Sequence, residues 1–351
     1  MDKNITIKRA NSREQRVYYF DFLRVFATFA VVILHLSAQN WDTTDVKSFA
    51  WNTFNFYDSI VRWALLSFVM ISGALFLQKD IPLKKIFSKY IFRIVTAFLF
   101  WSFVYAVEHY AENKDIIKAL DHFISGHYHL WFLFMITELY MILPFTKKIV
   151  ESDFLTKYFL LLAFIFTFFL PQSVNLISVF SEKYGTIATY IINNFYFYFV
   201  MGFTVYFLLG CVLNKIEISK KQERIIYFLG ICGFIATILM SIMVSRIKNK
   251  PNEIFYSYTS INVLFESIAV FVFFKKHFSK QSKFIVTLSK YSFGAYLVHA
   301  AVIRVIELCG LNTLSFNPIF SVPVISVMVF VISFAVSGVL NHIPILKKYI
   351  V

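Results

Sequence analysis

Charged residues are scarce in this chain. Asp, Glu, Lys and Arg make up 15% of its 351 residues, whereas an ordinary soluble domain has about 25%. Glycine and proline are also few, with 10 and 7 copies, and no linker rich in either residue divides the chain. The longest polar stretch covers only about 20 residues. These absences exclude a disordered chain and leave no room for a separate soluble domain.

Cysteine occurs three times, at positions 211, 232 and 309, always in or beside an apolar run. An odd number without motif spacing argues against a disulfide scaffold and against a cysteine metal site. His127 and His129 are neighbours in the sequence, but no third ligand is spaced near them. We therefore expect no metal cofactor.

Apolar residues dominate instead: 58% of the chain is hydrophobic and 20% aromatic, with 44 phenylalanines. A helix that crosses a membrane needs about 20 mainly apolar residues. The sequence thus predicts an all-α polytopic integral membrane protein with a single transmembrane domain over residues 1–351. A basic segment, 1–17, begins the chain and a short tail, 341–351, ends it. Ten apolar runs are the candidate spans: 18–38, 58–77, 87–107, 129–146, 158–171, 195–213, 225–244, 258–274, 285–308 and 319–340.

The positive charges predict the orientation of these spans. A net charge of +14 would suggest a nucleic-acid partner for a soluble protein, but in a membrane protein it sets topology. With a cytoplasmic N-terminus, 23 of the 34 lysines and arginines fall in cytoplasmic segments and 7 fall on the opposite side. We therefore expect both termini to be cytoplasmic, and no nucleic-acid partner. A cleaved signal peptide is the alternative for the first run, and its length and internal charges disfavour that reading.

Asp21, Arg24 and His35 lie inside the first span, where a charge costs at least about 2.5–3.5 kcal/mol near the bilayer centre. Asp21 and Arg24 are three residues apart and can pair on one helical face. His35 follows Arg24 by eleven residues, about three turns, so it returns to that face about 16 Å further along. An imidazole suits general-base chemistry near neutral pH. The alternative is a structural ion pair and a histidine that bonds a neighbouring helix.

Further polar groups lie inside or at the ends of other spans. Arg62 lies at a depth similar to that of His35, and the Ser72-Gly73 pair permits close helix packing or approach of a ligand. Arg93 begins the third span and is either a cytoplasmic anchor or a phosphate clamp. A packing or hydrogen-bonding role is the alternative for each remaining candidate. These candidates are Trp131, Glu138, Tyr296 and His299. Glu266 has no motif around it, and we expect a packing or pairing role for it.

Taken together, these segments resemble the acyltransferase-3 family of bacterial membrane O-acyltransferases, over nearly the whole chain. Within it, the chain is most similar to short stand-alone members of the enterobacterial common antigen O-acetyltransferase type. One departure concerns the arginine pair that many members carry at the start of the third span. Here Arg93 occupies the second position of that pair. The first position, three residues earlier, is Tyr90, and Lys89 lies beside it. The matching segments are Asp21-x-x-Arg24, Arg24-x10-His35, Phe68–Gly73, His129–Phe132 with Tyr140 and Pro144, Tyr206–Gly210, and Ser292–His299.

The resemblance implies transfer of an acyl group, usually acetyl, from cytoplasmic acetyl-CoA to a hydroxyl of a surface polysaccharide or lipid-linked glycan. It implies a protein of the bacterial cytoplasmic membrane, in contact with membrane lipids. It also implies that Arg24 and His35 are essential for acyl transfer. The assigned roles are catalytic for His35, Arg24 and Arg62, donor-binding for Asp21, Arg24, Ser72, Lys89 and Arg93, and substrate-binding for Trp131, Glu138, Tyr296 and His299.

Two other functions remain open from the sequence. Ten spans with internal charges also suit a transporter or flippase of a glycan or lipid-linked precursor. A membrane sensor or assembly partner without catalysis is the third interpretation.

Overall fold

The computed structural model describes residues 16–194 and 202–351. Most of the predicted basic N-terminal segment and the first part of the predicted sixth span, 195–201, lie outside these residues. Within the described ranges the chain is helical and contains no β-strand. The helices are α1 Tyr18–Ala38, α2 Phe49–Ser59, α3 Trp63–Phe76, α4 Leu83–Asn113, α5 Ile116–Ser125, α6 Trp131–Met141, α7 Leu143–Val150, α8 Asp153–Phe180, α9 Glu182–Asn193, α10 Thr204–Lys215, α11 Lys220–Lys248, α12 Ile261–His277, α13 Lys283–Leu308, α14 Pro318–His342 and α15 Pro344–Tyr349.

Eight helical stretches in the described residues are long and apolar enough to cross a membrane. They are α1, α2 with α3, α4, α8, α11, α12 with the 3₁₀ turn before it, α13 and α14. The two shorter apolar helices, α6 and α10, have 11 and 12 residues. The protein is thus an all-α polytopic membrane protein, as predicted, and each predicted span overlaps one of these ten stretches.

Three predicted spans differ from the structure in ways that change how the chain crosses the bundle. The second begins earlier, at Phe49, and bends between Ser59 and Trp63. The fourth stops at Met141, and α7 begins just before Pro144. The fifth was expected to end at Pro171, which was wrong, because the helix continues to Phe180. A π-helical stretch at Phe164–Phe169 precedes this proline, and such a bulge accommodates the missing backbone N–H inside a helix.

Helix α1 lies at the centre of the bundle and packs against α2, α3, α12, α13 and α14. Two glycines bring α3 and α10 into backbone contact beside it. A Cβ atom on Gly73 would lie 1.8 Å from the carbonyl oxygen of Phe207, and one on Gly210 would lie 1.9 Å from that of Met70. The predicted close packing at Ser72-Gly73 is confirmed, and it fixes the wall that carries Ser72.

The carboxyl group of Glu266 is fully buried between α11 and α12. Thr237 donates a hydrogen bond to its Oε1 atom. The Oγ1 atom of Thr237 also accepts a bond of 2.7 Å from Asn262. Glu266 therefore joins two membrane helices through hydrogen bonds, and it lies apart from the cavities described next.

Candidate active site: two cavities separated by an aromatic layer

A cavity of about 350 Å³ lies among α1, α3, α4, α6 and α13, on the side of the bundle that carries residue 16 and residue 351. We call it the inner cavity, after the predicted orientation. Arg24, Ser72, Arg93 and Tyr296 all line it. The structure thus brings together four residues that the sequence assigned to donor or substrate binding. Lys290 also lines it, although it was not among the predicted donor-binding residues.

Arg24 connects the inner cavity to a second, more polar cavity of about 580 Å³ beside it. Asp21 is buried there, and Arg16 holds it with two hydrogen bonds of 2.7 Å. The guanidinium of Arg24 lies 3.9 Å from the same carboxylate. The Asp21–Arg24 pair predicted from their spacing is therefore present, but Arg16 is the main partner of Asp21. This leaves Arg24 facing both cavities.

The two cations at the start of the third span have different surroundings. Arg93 donates a hydrogen bond to the carbonyl oxygen of Val351 and lies 5.5 Å from the ring centre of Phe293. Lys89 is exposed and is not among the residues that line the inner cavity, whereas Tyr90 is. The position where many family members have an arginine thus contributes an aromatic ring to this cavity.

A third cavity, of about 660 Å³, opens on the opposite side of the bundle, and we call it the outer cavity. His35 lines it, near the last turn of α1. Because Arg24 lines the inner cavity and both residues lie on one unbroken helix, a single stripe of α1 connects the two sites. Val31, one turn before His35, is the last α1 residue that lines the inner cavity.

Four histidines from three parts of the chain form what we call the imidazole cluster: His35, His127, His129 and His299. The rings of His35 and His299 are stacked with centres 5.1 Å apart, and His129 lies 4.9 Å from His299. The Nδ1 atoms of His127 and His129 are 2.9 Å apart and share a hydrogen bond. The sequence did not predict this cluster. The His127-x-His129 pair was a signal for it, but nothing in the sequence indicated that these rings lie beside His35 and His299.

The tautomer of His299 is fixed by its surroundings. Its Nδ1 atom bonds the carbonyl oxygen of Tyr296, so this nitrogen carries the hydrogen. Its Nε2 atom and that of His129 are buried without a hydrogen-bond partner among the described residues. His127 lies in the loop before α6, and burial, followed by the charge of His122, lowers its pKa to about 4. In the described ranges, no three or more His, Cys, Asp or Glu side chains are arranged so that they could hold a metal ion.

Tyr296 separates the inner cavity from the imidazole cluster. Its ring packs 5.6 Å from Phe132 and 5.6 Å from His129. Its hydroxyl donates a hydrogen bond to the carbonyl oxygen of His129. Tyr296 and Phe132 line the inner cavity, whereas His35 lines the outer one. We call Tyr296 and Phe132 the aromatic layer.

Arg62 lines neither the inner cavity nor the outer cavity. It forms an ion pair with Asp58, one turn earlier, and its guanidinium lies 3.9 Å from the ring centre of Tyr256. It is close enough to His35 for an electrostatic interaction between the two side chains. The sequence missed Asp58 as its partner, although their spacing of four residues is the usual one for a helical ion pair.

Two predicted substrate-binding residues lie away from both cavities. Glu138 is exposed and lines neither the inner nor the outer cavity. Trp131 packs against Phe203 and Tyr258 at ring-centre distances of 5.7 and 5.9 Å. Only Tyr296 and His299, of the four predicted substrate-binding residues, lie at the junction of the cavities.

The fold and these cavities define a class: a multi-pass membrane protein in which one helix carries a cation to one cavity and an imidazole to another. The family model for the acyltransferase domain of acyltransferase-3 proteins matches residues 17–340. The chain therefore belongs to the acyltransferase-3 family and is a membrane acyltransferase. No curated protein and no solved structure matches the chain.

Proposed function

We propose that the protein transfers an acetyl group from cytoplasmic acetyl-CoA to a hydroxyl of a surface polysaccharide or lipid-linked glycan. Its site of action would be the bacterial cytoplasmic membrane. The observation that carries this proposal is the stripe of α1. It places Arg24 at the inner cavity and His35 at the outer cavity. This geometry suits an anionic donor on one side and a hydroxyl acceptor on the other.

The inner cavity and the polar cavity beside it fit the chemistry of the donor. Arg16 and Arg24 line the polar cavity, and Arg24, Arg93 and Lys290 line the inner one. Guanidinium groups bind phosphate oxygens in a bidentate manner, which suits the nucleotide phosphates of CoA. The remaining wall of the inner cavity contains apolar groups such as Val31, Leu65 and Phe68. These groups suit the pantetheine arm, with Ser72 as a hydrogen-bonding group.

His35 would act as the general base. It would take the proton from the acceptor hydroxyl while that oxygen forms a bond to the thioester carbonyl carbon. The C–S bond would then break, and the imidazolium would return the proton to the thiolate of CoA. Arg62, held by Asp58 and Tyr256, would contribute positive charge that stabilises the developing oxyanion. The thioester must pass the aromatic layer to reach His35, because the inner cavity ends one turn before it.

A covalent acetyl-His35 relay is the alternative route to the same product. It is distinguished by incubating the protein with labelled acetyl-CoA in the absence of acceptor. Label attached to the protein that is lost in the His35→Ala variant supports the relay. Label that appears only on acceptor supports direct transfer.

A transporter or flippase remains a competing function in principle, but membership of an acyltransferase family does not favour it. The two functions differ in their products. A transporter would move a glycan without forming an ester, whereas the proposed enzyme forms an acetyl ester and free CoA.

The test uses purified protein in nanodiscs with labelled acetyl-CoA and glycolipid extracts as acceptors. We expect acetyl ester formation, and a loss of about 10²–10⁴-fold in rate for His35→Ala, the range for removal of a general base. His342→Ala is the matched control, because His342 is exposed and lies on the last turn of α14. Undiminished transfer by His35→Ala would contradict the assignment, and transport without ester formation would favour the competing function.

A further inference from the structure

The outer cavity is lined by many carboxylates and few cations. Its five acidic residues are Asp42, Glu108, Glu112, Glu253 and Glu307. Arg304 is the one arginine or lysine among the described residues that line it. The inner cavity has the opposite character, with two arginines, one lysine and no carboxylate in its described lining.

Two of the outer carboxylates already engage Arg304. Its Nε and one terminal nitrogen donate to Glu112 over 2.8 and 2.6 Å, and its other terminal nitrogen lies 3.4 Å from Glu307. The other three acidic residues form no ion pair in the part of the chain that the structure describes. Their negative charge therefore faces the cavity without a fixed counter-charge.

The remaining lining offers flat rings and hydrogen-bond acceptors. Tyr105 stacks on His127 at 4.3 Å, and the rings of His109 and His122 lie 4.0 Å apart. Gln39 also lines the cavity, and its amide nitrogen donates a hydrogen bond to Glu307. Carboxylate and amide oxygens accept hydrogen bonds from hydroxyl and amino groups, and ring faces pack against apolar surface.

We infer that the outer cavity selects an acceptor whose reacting sugar carries no negative charge, either a neutral sugar or one with a free amino group. This inference rests on the proposed function, because it takes His35 to be the group that meets the acceptor hydroxyl. An anionic sugar would lie among unpaired carboxylates, of which Glu108 is half-buried and Asp42 and Glu253 are exposed, and like charges at this distance repel each other. Exclusion of the wrong ligand by repulsion is a common source of specificity.

The test measures binding of three sugars that differ in charge and share one ring. Methyl glucoside is neutral, methyl glucosaminide is cationic and methyl glucuronide is anionic. Binding to the His35→Ala protein in nanodiscs is followed by saturation-transfer NMR, so that no turnover interferes. We expect the neutral and cationic sugars to bind at least roughly fivefold more tightly than the glucuronide. We also expect this ratio to fall as salt is raised.

A double variant and a control test whether the unpaired carboxylates cause this preference among the sugars. Glu108→Gln with Glu253→Gln removes two unpaired carboxylates and should move the preference toward equal binding. Glu151→Gln is the control, because Glu151 pairs with Lys148 outside the cavity and its removal should leave the preference unchanged. The charge series in the otherwise unaltered chain tests the inference even where the double variant does not fold.

Equal responses to the three sugars, or a preference for the glucuronide, would overturn the inference. Failure of the proposed function gives a different result. In that case the sugars bind in the expected order, but the His35-containing protein forms no acetyl ester on any of them.

Discussion

The inner and outer cavities differ in charge although one helix lines both. At the inner end of α1, Arg24 joins a polar cavity and an inner cavity lined by further cations. At the other end, His35 faces an outer cavity with five carboxylates and one arginine. The difference is the basis for the proposed sorting of ligands by charge. A cationic lining would attract the proposed polyanionic donor, and an acidic lining would repel it.

Removal of Arg24 should have the largest effect on the difference between the two ends of α1, because this residue lies where the inner cavity meets the polar cavity. For Arg24→Ala we expect the KM for acetyl-CoA to rise about tenfold to a hundredfold, as charge-assisted bonds to phosphate are lost. The KM for the acceptor should not change, because the outer cavity is intact. Arg24→Lys should recover only part of the affinity, since lysine keeps the charge without the planar fork.

Steady-state kinetics in nanodiscs check this expectation, with Arg224→Ala as control. Arg224 is exposed near the start of α11 on the same side of the bundle, and its loss should leave both KM values unchanged. A rise in the KM for the acceptor with an unchanged KM for acetyl-CoA would contradict the proposed donor-binding role of Arg24.

Gly73→Ala would distort the inner cavity and spare the outer one. The new Cβ atom would meet the backbone of Phe207 at 1.8 Å, so α3 and α10 must move apart. We expect a loss of about 2–3 kcal/mol in stability, typical of overpacking. Weaker acetyl-CoA binding should accompany it, because Ser72 lies beside this contact. Thermal unfolding and donor titration measure the two effects.

Gly338→Ala provides the matched control for that change. A Cβ atom there would find its nearest neighbour, in the ring of Tyr291, at 4.0 Å, an ordinary contact distance. Because alanine is the better helix former, Gly338→Ala should keep or gain stability. An equal loss in both variants would show that the contact between α3 and α10 does not explain the effect.

The smallest expected effect concerns the pH dependence of stability and comes from His127, which lines the outer cavity. Burial lowers its pKa to about 4 in the folded protein, while about 6.5 is the ordinary value. The unfolded chain therefore binds the proton more readily, and this group lowers stability as pH falls from about 6.5 to about 4. His127→Asn should make the fall in Tm over this range shallower than in the unaltered protein.

Unfolding midpoints recorded between pH 7 and 4.5 check this expectation. His342→Asn, an exposed histidine, should leave the pH profile unaltered. An identical profile for His127→Asn and the unaltered protein would mean that folding does not lower the pKa of His127.

Sequence periodicity predicted what depends on one helix. Arg24 and His35 fall on one stripe because eleven residues make about three turns, and α1 is unbroken between them. The same local rule would have found the Asp58–Arg62 pair. It could not find the bond from Arg16 to Asp21, because Arg16 lies before the helix begins.

Features that depend on packing between distant segments escaped the sequence. The imidazole cluster needs α1, the loop before α6 and α13 to converge, and no spacing within one segment encodes that. Glu138 was expected to serve the substrate, because a carboxylate within a span is costly. Its helix instead ends after 11 residues, and the side chain is exposed. The fold class followed from composition, whereas the walls of the cavities followed from tertiary contacts.

The aromatic layer has an electrical consequence. Among the described residues, Tyr296, Phe132 and their neighbours lie between two cavities that enter from opposite sides of the bundle. We therefore expect most of the membrane potential to fall across this short distance. Moving one elementary charge through 100 mV involves about 2.3 kcal/mol. A step that carries charge across this layer would therefore respond to the voltage of the cell, whereas passage of a neutral acetyl group would not.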